Sequence, residues 1–293
     1  MKKLQALALN TFKEAVRNKV FYLLVVLGIA TALSSIIISM LTIGDKVKVL
    51  KDVGLAAIDF FSVLIAIFTG INLVYKEIEK KTIYNILSKP ISRSTFILGK
   101  FLGLALTLLV ALVSMTLIFF LFLLLATGHF DYRLFVYFGL LYLELLIITS
   151  ISILFSSFST PILSSIFTIA LYLIGTVSWT FNQFKDLLRT PIEKTSAYFF
   201  YYILPNLDKF NIKNEIVLNM NLNSAEIFSA VLYAVCYTSA LLLLAILIFN
   251  KSSTHRESYH ETRNNRHHFY IDDRTRRAFS VSLRCQSQLC RIA

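Results

Sequence analysis

The sequence predicts an all-α membrane protein: six transmembrane helices, an N-terminal amphipathic helix lying in the membrane interface, and a further helix on the cytoplasmic side. Three observations predict it. Apolar residues make up 56% of the chain and charged residues 16%, against about 25% charged in soluble domains. Uncharged apolar runs long enough to cross a bilayer recur along the chain, and the charges gather between them. A mean hydropathy of +0.68 leaves too little polar surface to face water everywhere. This composition excludes an ordinary soluble enzyme, a disulfide-rich secreted domain and a disordered protein. The formal net charge of +12 fits basic cytoplasmic loops better than nucleic-acid binding. Cys236, Cys285 and Cys290 make no disulfide framework. The first apolar run starts at Val20 and is too long for a signal-peptide core, so no cleavable leader is expected.

Residues 1–19 come first. Leu4, Leu7, Ala8, Phe12, Ala15 and Val16 fall on one face at helical spacing, with Lys13, Glu14, Arg17 and Asn18 on the other. That pattern predicts a helix in the interface ahead of the bundle. The bundle occupies 20–250. Its first span, 20–44, is uncharged over 25 residues, enough to cross a core of roughly 30 Å at about 1.5 Å per residue. The second, 53–75, carries Asp59; the third, 101–127, has no charge. Residues 134–184 are too many for one helix, and Pro161, beside the polar run Ser156–Thr160, divides them into spans 134–157 and 161–184. The sixth span is 227–250.

Lys and Arg fix the orientation. With the N-terminus inside, cytoplasmic segments carry 20 basic residues and external ones 9. Without the C-terminal tail and the long 185–226 loop, the short segments give 11 against 4, and both termini are expected in the cytoplasm.

Between spans two and three, residues 76–100 hold six basic residues and two acids, with Ile78, Ile83, Ile86 and Leu87 able to form an apolar stripe beside them. Lys89-Pro90 forces an extended residue, and Ser92, Ser94 or Thr95 can cap the following helix. A solvated loop needs neither a stripe nor a rigid break. Glu79 to Thr82, Leu87 to Arg93, and Phe96 with Gly99-Lys100 resemble the E-x-x-x-T…L-x-x-P-[IV]-S-R…GK signature of ABC exporter permeases of the type-2 class. The branch it most resembles serves copper-enzyme maturation and gliding motility. Residues 203–210, Ile-Leu-Pro-Asn-Leu-Asp-Lys-Phe, also look like that branch, whereas Lys81 stands where many members have Gly.

The resemblance covers residues 1–250 and implies that 76–100 is a coupling helix docking on a separate ATPase subunit. The residues it singles out for that contact are Glu77, Glu79, Lys80, Thr82, Lys89, Pro90, Ser92 and Arg93. It further implies a second permease subunit, the cytoplasmic membrane as the site of action, and ATP with Mg bound by the ATPase. In such a permease, short re-entrant helices within 185–226 help close the exit path. Composition alone reads the aromatic run Tyr198–Tyr202 equally well as an interfacial belt.

The sequence has no G-x-x-x-x-G-K-[ST], H-E-x-x-H or G-x-S-x-G, so neither catalytic residues nor cofactor or metal ligands are expected. Two acids in apolar spans are candidate translocation-path residues. Glu144 sits near mid-span, where a charge costs roughly 2.5–3.5 kcal/mol, and must face the interior, be protonated or pair with hydroxyls. Asp59 lies closer to a span end. The alternative is an interhelical hydrogen bond for Glu144 and a position reaching the interface for Asp59, and the hydroxyls from Thr149 to Thr168 read as helix packing. The tail, 251–293, is basic, lacks apolar periodicity and is expected to be disordered near anionic lipid. The predicted function is therefore the permease subunit of an ATP-driven exporter. The alternatives are a membrane-embedded scaffold or assembly protein, and a polytopic enzyme disfavoured by the missing catalytic clusters.

Overall fold

The computed structural model describes residues 2–79, 93–128, 131–177, 204–218, 220 and 223–248. The chain divides into a compact unit of residues 1–246 and a second of 247–293, of which only Leu247 and Ile248 are described. Among the described residues the structure is all-helical. Helix α1 spans Lys2–Val16, α2 Lys19–Leu41, α3 Lys46–Glu79, α4 Arg93–Thr127, α5 Arg133–Ser156 and α6 Pro161–Thr176. A 3-10 turn, Leu207–Phe210, and a short α7, Lys213–Val217, precede α8, Ser224–Ile248.

Local chemistry sets the boundaries. Asn18 ends α1 and starts α2: its extended backbone turns the chain, and its Oδ1 accepts the Val20 N–H at 3.1 Å. Asn223 starts α8 the same way, accepting the Ala225 N–H at 3.1 Å. The break expected at Ser156–Pro161 is present. α5 stops at Ser156, Thr160 is extended, and Pro161 opens α6, where its missing N–H costs no helical bond.

α3 and α5 form the centre. Leu55, Ile58, Ile65, Ala66 and Ile67 of α3 and Leu145, Ile147 and Ile148 of α5 are essentially fully buried, and the two helices pack directly on one another. Lipid is as apolar as leucine, so packing and close approach hold such helices together rather than the hydrophobic effect. Gly70 provides one such approach, because a Cβ there would lie 2.8 Å from Ser152 Cβ. The hydroxyls expected to serve packing do so: Thr149, Ser150 and Ser152 donate to the carbonyls of Leu145, Ile147 and Ile148 at 2.7, 2.7 and 2.9 Å. α2, α4 and α6 surround this pair and leave large apolar residues such as Met40, Leu125 and Ile162 on their outward faces.

Among the described residues five helices are long and apolar enough to cross a membrane: α2, α3 over Lys46–Ile71, α4 from Ser94, α5 and α8. α6 is apolar but has 16 described residues, and the remainder of the predicted fifth span, 178–184, lies outside the described residues. α3 begins at Lys46 rather than 53, so most of the predicted loop 44–52 is helix; α4 begins at Arg93, ahead of the apolar run 101–127 and directly after Ser92, the first of the three residues expected to cap it. An apolar run reports the stretch that lipid requires to be apolar, and a helix continues past it wherever its polar residues reach water or a partner. Ser94 and Thr95 consequently lie inside α4 and do not cap it.

The amphipathic face predicted for residues 1–19 has the right register, with Ala8, Thr11 and Ala15 buried, and it meets α4. A Cβ built at Gly103 would stand 2.6 Å from the Ala8 carbonyl oxygen and 2.5 Å from Thr11 Cβ, so α1 lies directly on the α4 backbone. Glu14 Oε2 lies 3.8 Å from Nζ of Lys100, whose side chain is wholly buried at this contact. The tail, 251–293, lies outside the described residues.

Candidate functional site

The two acids singled out inside apolar spans line one cavity. Its volume is about 30 Å³, and its wall is Asp59 of α3, Tyr137, Leu141 and Glu144 of α5, Tyr172 and Thr176 of α6, and Leu207, Asp208, Phe210 and Asn211 around the 3-10 turn. Tyr137 and Glu144 are seven residues apart, two helical turns, and so share a face. Glu144 is 6% exposed. Asp59 Oδ1 is buried and has no hydrogen-bond partner among the described residues.

The segment 204–218 closes the cavity. Leu207 and Phe210 are each 1% exposed and anchor it in the helical bundle. Gly175 on α6 admits it: a Cβ there would meet the Pro205 carbonyl oxygen at 2.7 Å and Leu207 side-chain atoms at 2.9 Å. The Asn206 N–H donates to the Tyr233 hydroxyl of α8 at 2.9 Å, and the Phe210 and Tyr233 rings lie 6.3 Å apart. This aromatic contact holds Asp208 over the cavity. Burial pushes the Asp208 carboxyl above the usual carboxylate range, and the like charge of Glu215 adds to the effect.

Two basic residues at this end of the bundle are paired with other acids. Lys51 Nζ meets Asp131 Oδ2 at 2.7 Å, and Asp131 Oδ1 also accepts the Arg133 N–H at 3.2 Å, fixing the start of α5. Lys213 Nζ meets Asp52 Oδ1 at 2.9 Å, and Lys209 Nζ sits 4.9 Å from the Tyr233 ring centroid. Among the described residues no three His, Cys, Asp or Glu side chains are arranged to hold a metal ion. A larger groove of about 480 Å³ between α4 and α5 is apolar, and its Tyr142 hydroxyl donates to the Ala105 carbonyl at 3.2 Å.

The residues expected to contact an ATPase lie elsewhere. Glu77 and Glu79 are in the last turn of α3 and Arg93 is the first residue of α4, while Lys80, Thr82, Lys89, Pro90 and Ser92 lie outside the described residues. From Asp59, near the middle of α3, to Glu77 the helix rises about 27 Å, so the cavity lies well away from the segment that joins α3 to α4.

A family model described as ABC-2 family transporter protein matches residues 5–254. The chain belongs to the ABC-2 transporter family. The match runs from α1 through α8 and takes in the cavity and the segment joining α3 to α4. The protein is thus a multi-pass ABC transporter permease, a transport component whose family works in general with an ABC ATPase. No curated protein matches the chain. Sequence reasoning found the Asp59 and Glu144 of this permease but missed Asp208, Tyr137 and Tyr172. The seven-residue spacing from Tyr137 to Glu144 was a usable signal; nothing local tied Asp208 to either helix.

Glu144→Gln is expected to insert and fold like the wild type, because Gln keeps the shape of Glu and needs no counter-charge. Membrane yield and a monodisperse peak in size-exclusion chromatography check this. A severe loss of folded protein would make the carboxylate a structural requirement.

Proposed function

We propose that this permease is the transmembrane subunit of an ATP-driven exporter in the cytoplasmic membrane, paired with a second permease subunit and with ATPase subunits that bind ATP and Mg. The observation that carries this reading is a family match over residues 5–254 in a sequence without a phosphate-binding loop, so energy has to enter through a protein contact. The contact is the segment between α3 and α4, with Glu77, Glu79, Lys80, Thr82, Lys89, Pro90, Ser92 and Arg93 as its docking residues. Nucleotide-driven closure of the ATPases would move this segment and switch the paired permeases between states. Glu144 and Asp59 belong to the translocation path. The branch serving copper-enzyme maturation and gliding motility is the one whose signature the segment resembles.

In this reading α6 with the residues after it makes a sixth span, both termini are cytoplasmic, and 185–226 is external. The basic residues of 1–19 and 76–100 support that orientation. Cysteine labelling tests it in a variant whose three native cysteines are replaced. Asn214 is exposed, and Asn214→Cys should react with a membrane-impermeant maleimide in intact cells, whereas Ser88→Cys should not. Labelling at position 88 alone would invert the topology. Co-purification with an ABC ATPase from the source cells, followed by transport assays, tests the functional assignment.

A further inference from the structure

Among the described residues no basic side chain forms an ion pair with an acid of this cavity. Asp59, Glu144 and Asp208 all line it. Asp59 Oδ1 is buried without a hydrogen-bond partner, and Glu144, 6% exposed, makes no hydrogen bond or ion pair with any other described residue. The nearby lysines have other partners: Lys51 is held by Asp131 at 2.7 Å, Lys213 by Asp52 at 2.9 Å, and Lys209 lies against the Tyr233 ring. Lys213 still acts on Asp59 electrostatically, but its ammonium bonds elsewhere. Buried polar groups in proteins find partners, and buried charges are paired. The buried Oδ1 of Asp59 and the buried carboxyl of Glu144 face a shared space with no such partner among the described residues, and one cationic hydrogen-bond donor placed there would satisfy both.

The size and the donor set restrict that partner. A water-sized probe needs about 10–15 Å³ of such space, so about 30 Å³ admits a small group and excludes a bulky one. No three acidic, His or Cys groups among the described residues are arranged for a metal ion. The wall offers acceptors on several sides, with carboxylates from α3 and α5 and the phenols of Tyr137 and Tyr172, whose oxygens accept hydrogen bonds and whose rings attract cations.

We propose that the cavity binds a single ammonium group, with Asp59 and Glu144 as its counter-charges and Tyr137, Tyr172 and Asp208 completing the wall. The inference rests on reading Asp59 and Glu144 as translocation-path residues and gives that path a substrate class: molecules carrying a primary amine. Free ammonium and the amine head of a larger molecule present the same chemistry, and the experiment separates them.

The full chain, purified in detergent at pH 7 and constant ionic strength, is titrated with ammonium, methylammonium, butylammonium or tetramethylammonium chloride against sodium chloride, with the thermal unfolding midpoint as the readout. A saturable rise is expected with ammonium and none with tetramethylammonium, which has no N–H to donate. Half-saturation should weaken at least about tenfold in Glu144→Gln and in Asp59→Asn, because each leaves the cation short of one buried partner. Butylammonium acting as well as ammonium identifies the head of a larger substrate; a response to ammonium alone identifies the free ion. The ligand-free midpoint of each variant establishes folding, and either variant alone suffices for the comparison. No rise with any primary amine, an equal rise with tetramethylammonium, or an unchanged half-saturation in the folded variants overturns the proposal. ATPase co-purification is scored separately, so loss of amine binding and loss of the permease reading are distinguishable outcomes.

Discussion

Replacing Glu79 and Arg93 together by alanine is expected to uncouple ATP hydrolysis from transport while leaving the bundle folded. Glu79 closes α3 and Arg93 opens α4, so the pair brackets the segment that joins two spans at the end away from the acidic cavity. Charged residues at span ends stay on the water side, where substitutions usually shift stability by no more than about ±0.5 kcal/mol. In a docking site the same truncations cost about 1–3 kcal/mol of binding, a loss of roughly 5–150-fold in affinity for the ATPase. Co-purification of the ATPase and substrate-stimulated hydrolysis should both fall, with the thermal midpoint of the permease unchanged. Unaltered co-purification together with unaltered coupled activity would remove 76–100 from the energy path.

Gly103→Ala should loosen α1 from the bundle, and Gly139→Ala should not. Both glycines lie inside long apolar helices, and helix propensity alone favours alanine at each by up to about 1 kcal/mol. Their surroundings differ. A Cβ at Gly103 meets the Ala8 carbonyl oxygen at 2.6 Å and Thr11 Cβ at 2.5 Å, whereas nothing lies within 4 Å of one at Gly139. The Ala8 carbonyl belongs to helix backbone and cannot turn aside, so α1 must shift as a body. Overpacking of this kind costs about 1–3 kcal/mol. At about 2–4 °C per kcal/mol for a chain of this size, the Gly103→Ala midpoint should drop by several degrees while Gly139→Ala holds or rises. Protease access to residues 1–19 should increase only in the former. Equal behaviour of the two variants would mean that α1 does not rest on α4 in the folded protein. Because Glu14 and Lys100 meet beside this contact at 3.8 Å, a displaced α1 also exposes a buried lysine in the first turns of α4.

Some of this protein was settled by one-dimensional chemistry. Lipid demands long apolar runs whose backbone bonds are satisfied within the helix, so hydropathy finds the spans; Pro161 and the polar residues before it mark a break because proline cannot continue a helix from within. The register of α1 follows from helical spacing, and the family from a short run of residues around Pro90 that any sequence comparison can read. Hydropathy also flagged Asp59 and Glu144, because an acid in an apolar run stands out.

The rest depended on which surfaces meet. Asp59 and Glu144 are 85 residues apart, and only the packing of α3 on α5 gives them a common cavity. Asp208 joins them because Gly175 has no side chain and because Leu207 and Phe210 find buried seats, relations between distant parts of the chain that leave no mark at Asp208 itself. The same holds for α1, whose apolar face carries no sign of whether lipid or α4 will cover it; the bare backbone at Gly103 decides that. Helix ends beyond the apolar run, such as Lys46 to Lys51, were misread as loop because the pairing of Lys51 with Asp131 exists only after folding. Periodicity records what each segment must bury, and the tertiary structure alone determines against what.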